Sequence, residues 1–135
     1  QGQRRYGDTI IEKLDPRVEI VMTYSESDGR FVKTCIDTGV SGIVIQGVNT
    51  GNVNAGMHNA ILQALKAGIV VVLTTNLPNG QVYPIYGSLG GGKSLVDAGA
   101  IMAEDLKPRK ARLLLMFALG ETRDRKRLQE IFLNA

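Results

Sequence analysis

Short apolar runs alternate along the chain with segments whose apolar residues recur at helical spacing. Three runs rich in β-branched residues predict strands over Val18–Thr23, Gly42–Gln46 and Ile69–Thr74. Between them, the helical spacing predicts helices over Arg30–Thr38 and Asn54–Ala67. Apolar runs separated by helices are typical of strands that are buried on both faces of a parallel sheet. The first half of the chain therefore predicts repeated strand–helix units.

Residues with capping preferences mark the ends of the two predicted helices. Asp28 precedes the first helix, where a short acidic side chain can open the helix by accepting a backbone N–H. Gly39 and Gly68 follow the first and second helices, at the position where glycine commonly ends a helix in the left-handed conformation. These residues support the boundaries that the periodicity predicts.

The second half of the chain begins with a different pattern. The segment Asn76–Gly92 is rich in glycine and proline and predicts a turn-rich loop. Beyond it the pattern predicts a short helix, a short strand and two longer helices: Lys93–Ala98, Ala100–Met102, Lys107–Leu119 and Arg123–Leu133. The last helix is amphipathic and is expected to bury Leu128, Ile131 and Phe132. The whole pattern predicts a small three-layer αβα domain with about four parallel strands, Rossmann-like or flavodoxin-like.

The composition fits one domain that folds without a metal or a disulfide. The chain has 135 residues and 44% hydrophobic content, and a chain of this length buries roughly two-thirds of its unfolded surface on folding. Its single cysteine, Cys35, is expected to be a small buried hydrophobe rather than a reactive thiol. No apolar run approaches the roughly 18 residues that a membrane span needs. The net charge of +3 is compatible with many kinds of partner.

Polar loops follow each of the three predicted strands. They are Tyr24–Gly29, Gly47–Asn54 and Thr75–Gly80, and the carboxyl ends of parallel strands are where open α/β sheets bind ligands. In the second loop, Asn52 and Asn54 carry amides that can both donate and accept hydrogen bonds. Either side chain could instead cap the following helix. The spacing leaves both interpretations open.

Five segments, in order and with compatible gaps, carry motifs that occur together in one enzyme family. They are Leu14–Val21 (LDPRVEIV), Asp37–Asn52 (DTGVSGIVIQGVNTGN), Ala67–Val72 (AGIVVV) with Pro78–Gly80 (PNG), Lys110–Leu119 (KARLLLMFAL) and Leu128–Phe132 (LQEIF). Together they resemble the C-terminal domain of bacterial L-asparaginases and glutaminases, type II-like members included. The resemblance implies that residues 14–135 form this domain and that residues 1–13 are the remnant of an interdomain linker.

The resemblance implies an activity that this chain does not carry out alone. Family members hydrolyse the side-chain amide of asparagine or glutamine to the acid and ammonia, with threonine, aspartate and lysine groups in an N-terminal domain. We therefore expect no catalytic residue in this chain, no cofactor and no metal. The implied partners are that N-terminal domain, further copies in a dimer or tetramer, and a small amino-acid amide. The compartment stays open between cytoplasm and periplasm, because Gln1–Asp8 lacks both an initiator methionine and an apolar signal segment and looks cut from a longer chain.

The resemblance also implies which residues of this chain touch the substrate. By motif position, Asn52 is similar to an asparagine that helps hold the substrate's α-amino end from the neighbouring subunit. The implied substrate-binding group is Thr50, Gly51 and Asn52. Many members supply a glutamate from the next loop, but no acidic residue occurs here between Asn76 and Ser94. A candidate lid occupies that region instead, formed by Tyr86, Gly87 and Ser88, and this departure puts tight asparagine specificity in doubt.

Two other features suggest binding to nucleotides or nucleic acids. Gly87–Ser94 satisfies the phosphate-loop pattern G-x-x-x-x-G-K-[ST], but the preceding Gln81–Tyr86 contains a proline and two tyrosines rather than a buried apolar strand. Eight of the sixteen basic residues lie in Lys107–Arg127, without interleaved aromatics that could stack on bases. We favour a solvated helix face, and we keep a subunit of a tRNA-dependent amidotransferase as an alternative. The only histidine, His58, has no second metal-ligand candidate at useful spacing, so a ligand role is not expected.

Overall fold

Four strands form one parallel sheet in the computed structural model, which describes residues 14–24, 27–46, 53, 55–74 and 92–135. The strands are β1 (Val18–Met22), β2 (Gly42–Gln46), β3 (Val70–Leu73) and β4 (Ile101–Met102). All three pairings are parallel, and the order across the sheet is β1-β2-β3-β4. The register places Val18 beside Gly42, and Gly42 beside Val70.

Helices cover both faces of the sheet. One face carries the three helices that connect successive strands: α1 (Arg30–Thr38), α2 (Ala55–Lys66) and α3 (Gly92–Asp97). The other face carries the two C-terminal helices: α4 (Pro108–Leu119) and α5 (Arg125–Leu133). Since strand–helix–strand crossovers share one handedness, a sheet in sequential order places all its connecting helices on the same face. The predicted three-layer domain with four parallel strands is confirmed.

The described strand order differs from the orders typical of Rossmann-like and flavodoxin-like sheets. Nucleotide-binding and flavodoxin-like sheets run 3-2-1-4-5-6 or 2-1-3-4-5 and bind their ligand where the order reverses. The order β1-β2-β3-β4 does not reverse within the described strands. A ligand site at the carboxyl edge of this sheet must therefore be shaped by the loops themselves.

Strand β2 forms the centre of two hydrophobic cores. Ile43 and Ile45 pack into the core beneath the connecting helices, whereas Val44 packs into the core beneath α4 and α5. All three side chains are fully buried, and burying a side chain of this size contributes about 1.5–3 kcal/mol. In the last helix, Leu128 and Phe132 are buried as predicted, and Ile131 is half-buried. The apolar run that predicted β2 is thus explained by burial on both faces.

Most predicted helix boundaries hold to within two residues. Gly39 ends α1 in the left-handed conformation, with φ of 76° and its N–H bonded to the Cys35 carbonyl at 3.1 Å. Cys35 is buried as predicted, and burial raises the pKa of its thiol. The last helix begins at Arg125 rather than Arg123, because the Asp124 side chain caps it by accepting the Arg127 N–H at 3.0 Å.

Helix α1 begins at Arg30 as predicted, but its capping residue is not the one expected. Gly29, not Asp28, is the N-terminal capping residue, and it makes no side-chain cap. Asp28 lies one position earlier, where its carboxylate accepts the backbone N–H of Arg30 at 3.1 Å and also contacts the Arg30 guanidinium. Asp28 thus accepts a backbone N–H of the first turn as expected, but from the position before the cap, and Gly29 occupies the cap itself and makes the close contact with α2 described below.

The chain enters β1 through a hydrogen-bonded turn at the amino edge of the sheet. The Asp15 carboxylate accepts hydrogen bonds from Ser41 Oγ at 2.6 Å and Arg17 Nε at 3.1 Å, and the Arg123 guanidinium lies 3.8 Å away. The hydrogen bonds from Arg17 are the main cause that lowers the pKa of Asp15 to about 2. The Asp15 N–H also donates to the Met116 carbonyl of α4 at 3.0 Å. This turn ties together elements from both halves of the chain.

None of the described helices is long and apolar enough to cross a membrane.

Candidate functional site

The carboxyl end of β2 is fixed by two threonines from the neighbouring strand ends. Thr23 donates to the Gln46 carbonyl twice, from its backbone N–H at 2.7 Å and from its hydroxyl at 3.1 Å. Thr74 does the same to the Ile45 carbonyl, at 2.9 Å from the backbone and 2.7 Å from a hydroxyl that is fully buried. The last two carbonyls of the central strand therefore have defined partners. The segment 47–54 begins from a fixed point.

The first turns of α2, where that segment ends, are fixed by a close contact with α1. A Cβ added at Gly29 would collide with the Ala60 Cβ and lie 2.9 Å from the Gly56 carbonyl oxygen. Both contacts are shorter than real Cβ contacts, so only glycine fits without displacing backbone. Val53, just before α2, is half-buried and packs against the same core. Both ends of the segment 47–54 are thus anchored at the carboxyl edge.

His58 joins α2 to α3 at the same edge. Its side chain is 3% exposed, and its Nε2 lies 3.0 Å from Ser94 Oγ. Nδ1 is buried without a hydrogen-bond partner among the described residues. Burial lowers the pKa of the imidazole, which is therefore neutral at pH 7. Sequence reasoning considered His58 only as a metal ligand and missed this contact, which joins residues 36 positions apart.

The described side chains form no group of three or more histidine, cysteine, aspartate or glutamate residues that could hold a metal ion.

The residues predicted to touch the substrate lie outside the described part of the chain. This applies to both predicted groups: Thr50, Gly51 and Asn52, and Tyr86, Gly87 and Ser88. Their assignments stay predictions. The structure does describe the residues on either side of these segments, namely Gln46 and Ala55, and Thr74 and Gly92. These ends all belong to elements that meet at the carboxyl edge.

The phosphate-loop interpretation loses support from the contact of its last residue. In that interpretation the Ser94 hydroxyl would bind magnesium. Instead it bonds with the buried His58 imidazole. The described strand β3 also ends at Leu73, well before the motif begins at Gly87. The described contacts therefore favour a structural role for Ser94 over nucleotide binding.

The basic C-terminal helices are only partly a solvated face. Arg112 donates from Nε to the Val18 carbonyl of the edge strand β1 at 2.7 Å. Arg125 donates to three carbonyls around the end of α3: Val96 at 3.1 Å, Gly99 at 2.8 Å and Ala100 at 3.0 Å. These arginines therefore connect elements of the fold, and their bonded donors are not available to an anionic ligand.

A groove beside α4 is lined by several basic side chains. It has a volume of about 1070 Å³, and its charged lining residues carry both signs: Glu19, Asp105, Lys107, Arg109, Lys110 and Arg112. Two carboxylates among four cations weaken the positive field that a polyanion would meet. The groove adds little to the nucleic-acid interpretation.

Comparison with known proteins identifies the domain. A profile of the glutaminase/asparaginase C-terminal domain matches residues 17–132, which is most of the chain. The chain belongs to this family. The motif resemblance found in the sequence is therefore confirmed, as is the α/β class that accompanies it.

Relatives of this asparaginase-type domain include both hydrolases and amidotransferase components. L-asparaginase from Bacillus licheniformis is 37% identical over 109 residues, covering 81% of this chain and 34% of the relative. A component of the glutamyl-tRNA(Gln) amidotransferase from Pyrococcus furiosus is 30% identical, covering 92% of this chain and 28% of the relative. The crystal structure of a probable cytoplasmic L-asparaginase from Campylobacter jejuni superposes with a TM-score of 0.75 at 37% identity, covering 86% of this chain and 35% of that one.

The asparaginase-type domain spans about a third of the length of the curated relatives it matches. Their names include cytoplasmic and periplasmic asparaginases, which agrees with leaving the compartment open between the two.

Proposed function

We propose that this chain is the C-terminal domain of an L-asparaginase-type amidohydrolase and that it completes the active site of a partner subunit in a dimer or tetramer. The reaction is hydrolysis of the side-chain amide of asparagine or glutamine to the acid and ammonia. A threonine hydroxyl of the N-terminal domain would attack the amide, with the developing oxyanion stabilised by fixed donors. This chain would supply substrate contacts, chiefly from Asn52, and none of the reacting groups.

One observation carries the proposal: the segment 47–54 runs between two anchored points at the carboxyl edge. Threonine hydroxyls fix the end of β2, and the Gly29 contact fixes the first turns of α2. A substrate contact must be held in place before the substrate arrives, because positioning supplies much of the rate enhancement. The fixed residues on either side of this segment, which contains asparagine, glycine and threonine, support such a role for it.

The structure contains one hydroxyl–imidazole pair that the sequence did not lead us to expect. We expected no catalytic residue in this chain, yet Ser94 Oγ and His58 Nε2 are within hydrogen-bond distance. A catalytic pair needs a base oriented by a third group, and His58 Nδ1 has no such partner among the described residues. The imidazole is also enclosed. We therefore assign this pair no part in the chemistry, and we expect the isolated chain to be inactive.

The direct test replaces Asn52 in the intact protein that contains this chain. Asn52→Ala should lower kcat/KM about 10- to 100-fold, mainly through KM, since a hydrogen bond to a charged group contributes about 1.5–3 kcal/mol. Steady-state kinetics with asparagine and glutamine measure the effect. Asn54→Ala, in the same segment, is the matched control and should leave KM near that of the wild type. An unchanged kcat/KM with a large loss of thermal stability would assign Asn52 to helix capping instead.

A subunit of a tRNA-dependent amidotransferase is the second candidate, favoured by the Pyrococcus furiosus relative. In that case the basic side chains near α4 would contact the phosphate backbone, and affinity would fall steeply with salt. Electrophoretic mobility of tRNA with the intact protein at physiological salt separates the two functions. A shift that Lys110→Ala weakens would favour the amidotransferase, whereas the absence of any shift favours the hydrolase.

A further inference from the structure

The contact between His58 and Ser94 joins two helices that begin at the same edge of the sheet. In a parallel sheet the chain leaves the carboxyl end of one strand and returns along the connecting helix, so α2 and α3 both begin at the carboxyl edge. His58 is the fourth residue of α2, and Ser94 is the third residue of α3. Their hydrogen bond of 3.0 Å therefore lies about one helical turn from that edge. The segments 47–54 and 75–91, which precede these helices, contain all six residues predicted to surround the substrate.

Helix α3 depends on tertiary contacts for its position. It has six residues, and isolated helices shorter than about 12 residues are marginal in water. Leu95 is fully buried in the core, and Arg125 bonds to carbonyls at the carboxyl end of the helix. Near its amino end, Ser94 bonds with His58. The two ends of α3 are thus held by different partners, and only the amino end lies at the carboxyl edge of the sheet.

The buried environment selects one protonation state of His58. Burial lowers the pKa of the imidazole, so one ring nitrogen carries the proton at neutral pH. If Nε2 carries it, Nε2 donates to Ser94 Oγ and the lone pair of Nδ1 has no partner among the described residues. If Nδ1 carries it, a buried N–H stays unpaired, which is rarer in folded proteins than an unpaired acceptor. The Nε2–H tautomer is therefore the one that fits.

We propose that His58 is a positioning residue for substrate binding. By bonding to Ser94 it holds the start of α3 against the start of α2, and so fixes Ala55 and Gly92, the described residues at which the two segments predicted to bind the amino-acid amide end. This inference rests on the proposed function, because the two segments matter here only if they bind the substrate. His58 acts through the helices and does not touch the substrate. Its loss should affect KM more than kcat, since the nucleophile belongs to another domain.

Kinetics of the intact protein test the proposal. Ser94→Ala and His58→Leu should each raise KM about 2- to 10-fold, the size expected for one hydrogen bond, with kcat changed less than KM. His58→Gln retains a side-chain N–H donor and Ser94→Thr retains the hydroxyl, so both should restore KM towards the wild-type value. Thr34→Ala is the matched control, because it removes a helical hydroxyl whose bond among the described residues is to the Arg30 carbonyl of its own helix. Equal KM in all variants, whatever their thermal stability, would overturn the proposal.

Comparison with the Asn52 variant separates the positioning role of His58 from the proposed function itself. If Asn52→Ala raises KM while Ser94→Ala does not, the proposed function stands and the positioning role fails. If neither changes KM, the proposed function itself fails. Nitrogen-15 spectra of the imidazole give a readout that is independent of activity: the pKa of His58 should lie below the ordinary histidine value, and at pH 7 the ring should be neutral and in the Nε2–H form. Protonation near pH 6.5, as in a free histidine, would contradict the enclosed, bonded geometry.

Discussion

At the scale of single residues, small side chains at the carboxyl edge control how closely backbone segments approach. Gly29 ends a loop, caps α1 and touches the first turns of α2 all at once. Its lack of a Cβ permits a contact that no other residue allows. The threonines at the ends of β1 and β3 use their hydroxyls on the same edge. A substitution at one of these residues should therefore shift the predicted pocket, although the residue itself is not predicted to line it.

Gly29→Ala tests that close contact. The added methyl group would meet Ala60 and the Gly56 carbonyl, and overpacking of this kind costs about 1–3 kcal/mol. Urea unfolding of the chain should show the lower free energy of unfolding. Lys33→Ala, on the exposed side of the same helix, should change it by less than about 0.5 kcal/mol. If the two variants were equally stable, the tight approach of α1 to α2 would be wrong.

At the scale of elements, α3 shows how a short helix is kept in register between the sheet and the C-terminal helices. Arg125 belongs to α5 but directs its donors to carbonyls at the turn between α3 and β4. The turn itself requires Gly99, whose φ of 120° is rarely adopted by residues with a side chain. The carboxyl end of α3 is therefore fixed by residues that have no place in the predicted pocket.

Arg125→Met tests the role of those donors. Methionine keeps an apolar stem of similar reach but cannot bond to the carbonyls of Val96, Gly99 and Ala100. Because Arg125 is exposed, the free energy of unfolding should fall by only about 1 kcal/mol. The local effect should be larger, with faster hydrogen exchange at the Ala98 amide, which bonds to the Ser94 carbonyl at 3.2 Å. Lys126→Met is the neighbouring control. Equal exchange in both variants would show that Arg125 does not fix the carboxyl end of α3.

Element order was predictable from the sequence, but the contacts between elements were not. Apolar runs such as Ile43–Ile45 and capping residues such as Gly39 are local signals, because burial on both faces and left-handed backbone each select particular residue types. The bonds from His58 to Ser94 and from Arg112 to Val18 join residues 36 and 94 positions apart. Nothing in periodicity encodes such pairs. The sequence likewise did not predict the order of the strands, which depends on which strands pair side by side.

At the scale of the whole molecule, the two edges of the sheet have different roles. The carboxyl edge carries the loops predicted to reach the substrate. At the amino edge, Asp15 connects the start of β1 to Ser41 before β2 and to Arg123 before α5. This cluster closes the domain where the chain enters it. It should contribute stability without affecting substrate binding.

The lowered pKa of Asp15 predicts how stability depends on acid. The carboxyl titrates at about 2 in the folded domain, against 3.8 for its ordinary value. Since the folded pKa is the lower one, the stabilisation is complete above pH 4 and is lost as the pH falls from about 4 to about 2. After allowance for partial exposure it should amount to about 1–2 kcal/mol. In Asp15→Asn, the urea midpoint should drop less between pH 4.5 and pH 2.5 than in the wild type. Parallel acid dependence in both proteins would contradict the assignment.

The claim that this domain completes the pocket of another subunit is tested most directly by mixing two defective forms of the intact enzyme. One form would lack the threonine proposed as the nucleophile in the N-terminal domain, and the other would carry Asn52→Ala. In a mixed dimer one site would combine an intact N-terminal domain with an intact Asn52 from the partner. At equal mixing and low substrate, reassociation should restore activity to about a quarter of the wild-type level. If the mixture is no more active than the average of its two components, the site does not cross between subunits and the account is wrong.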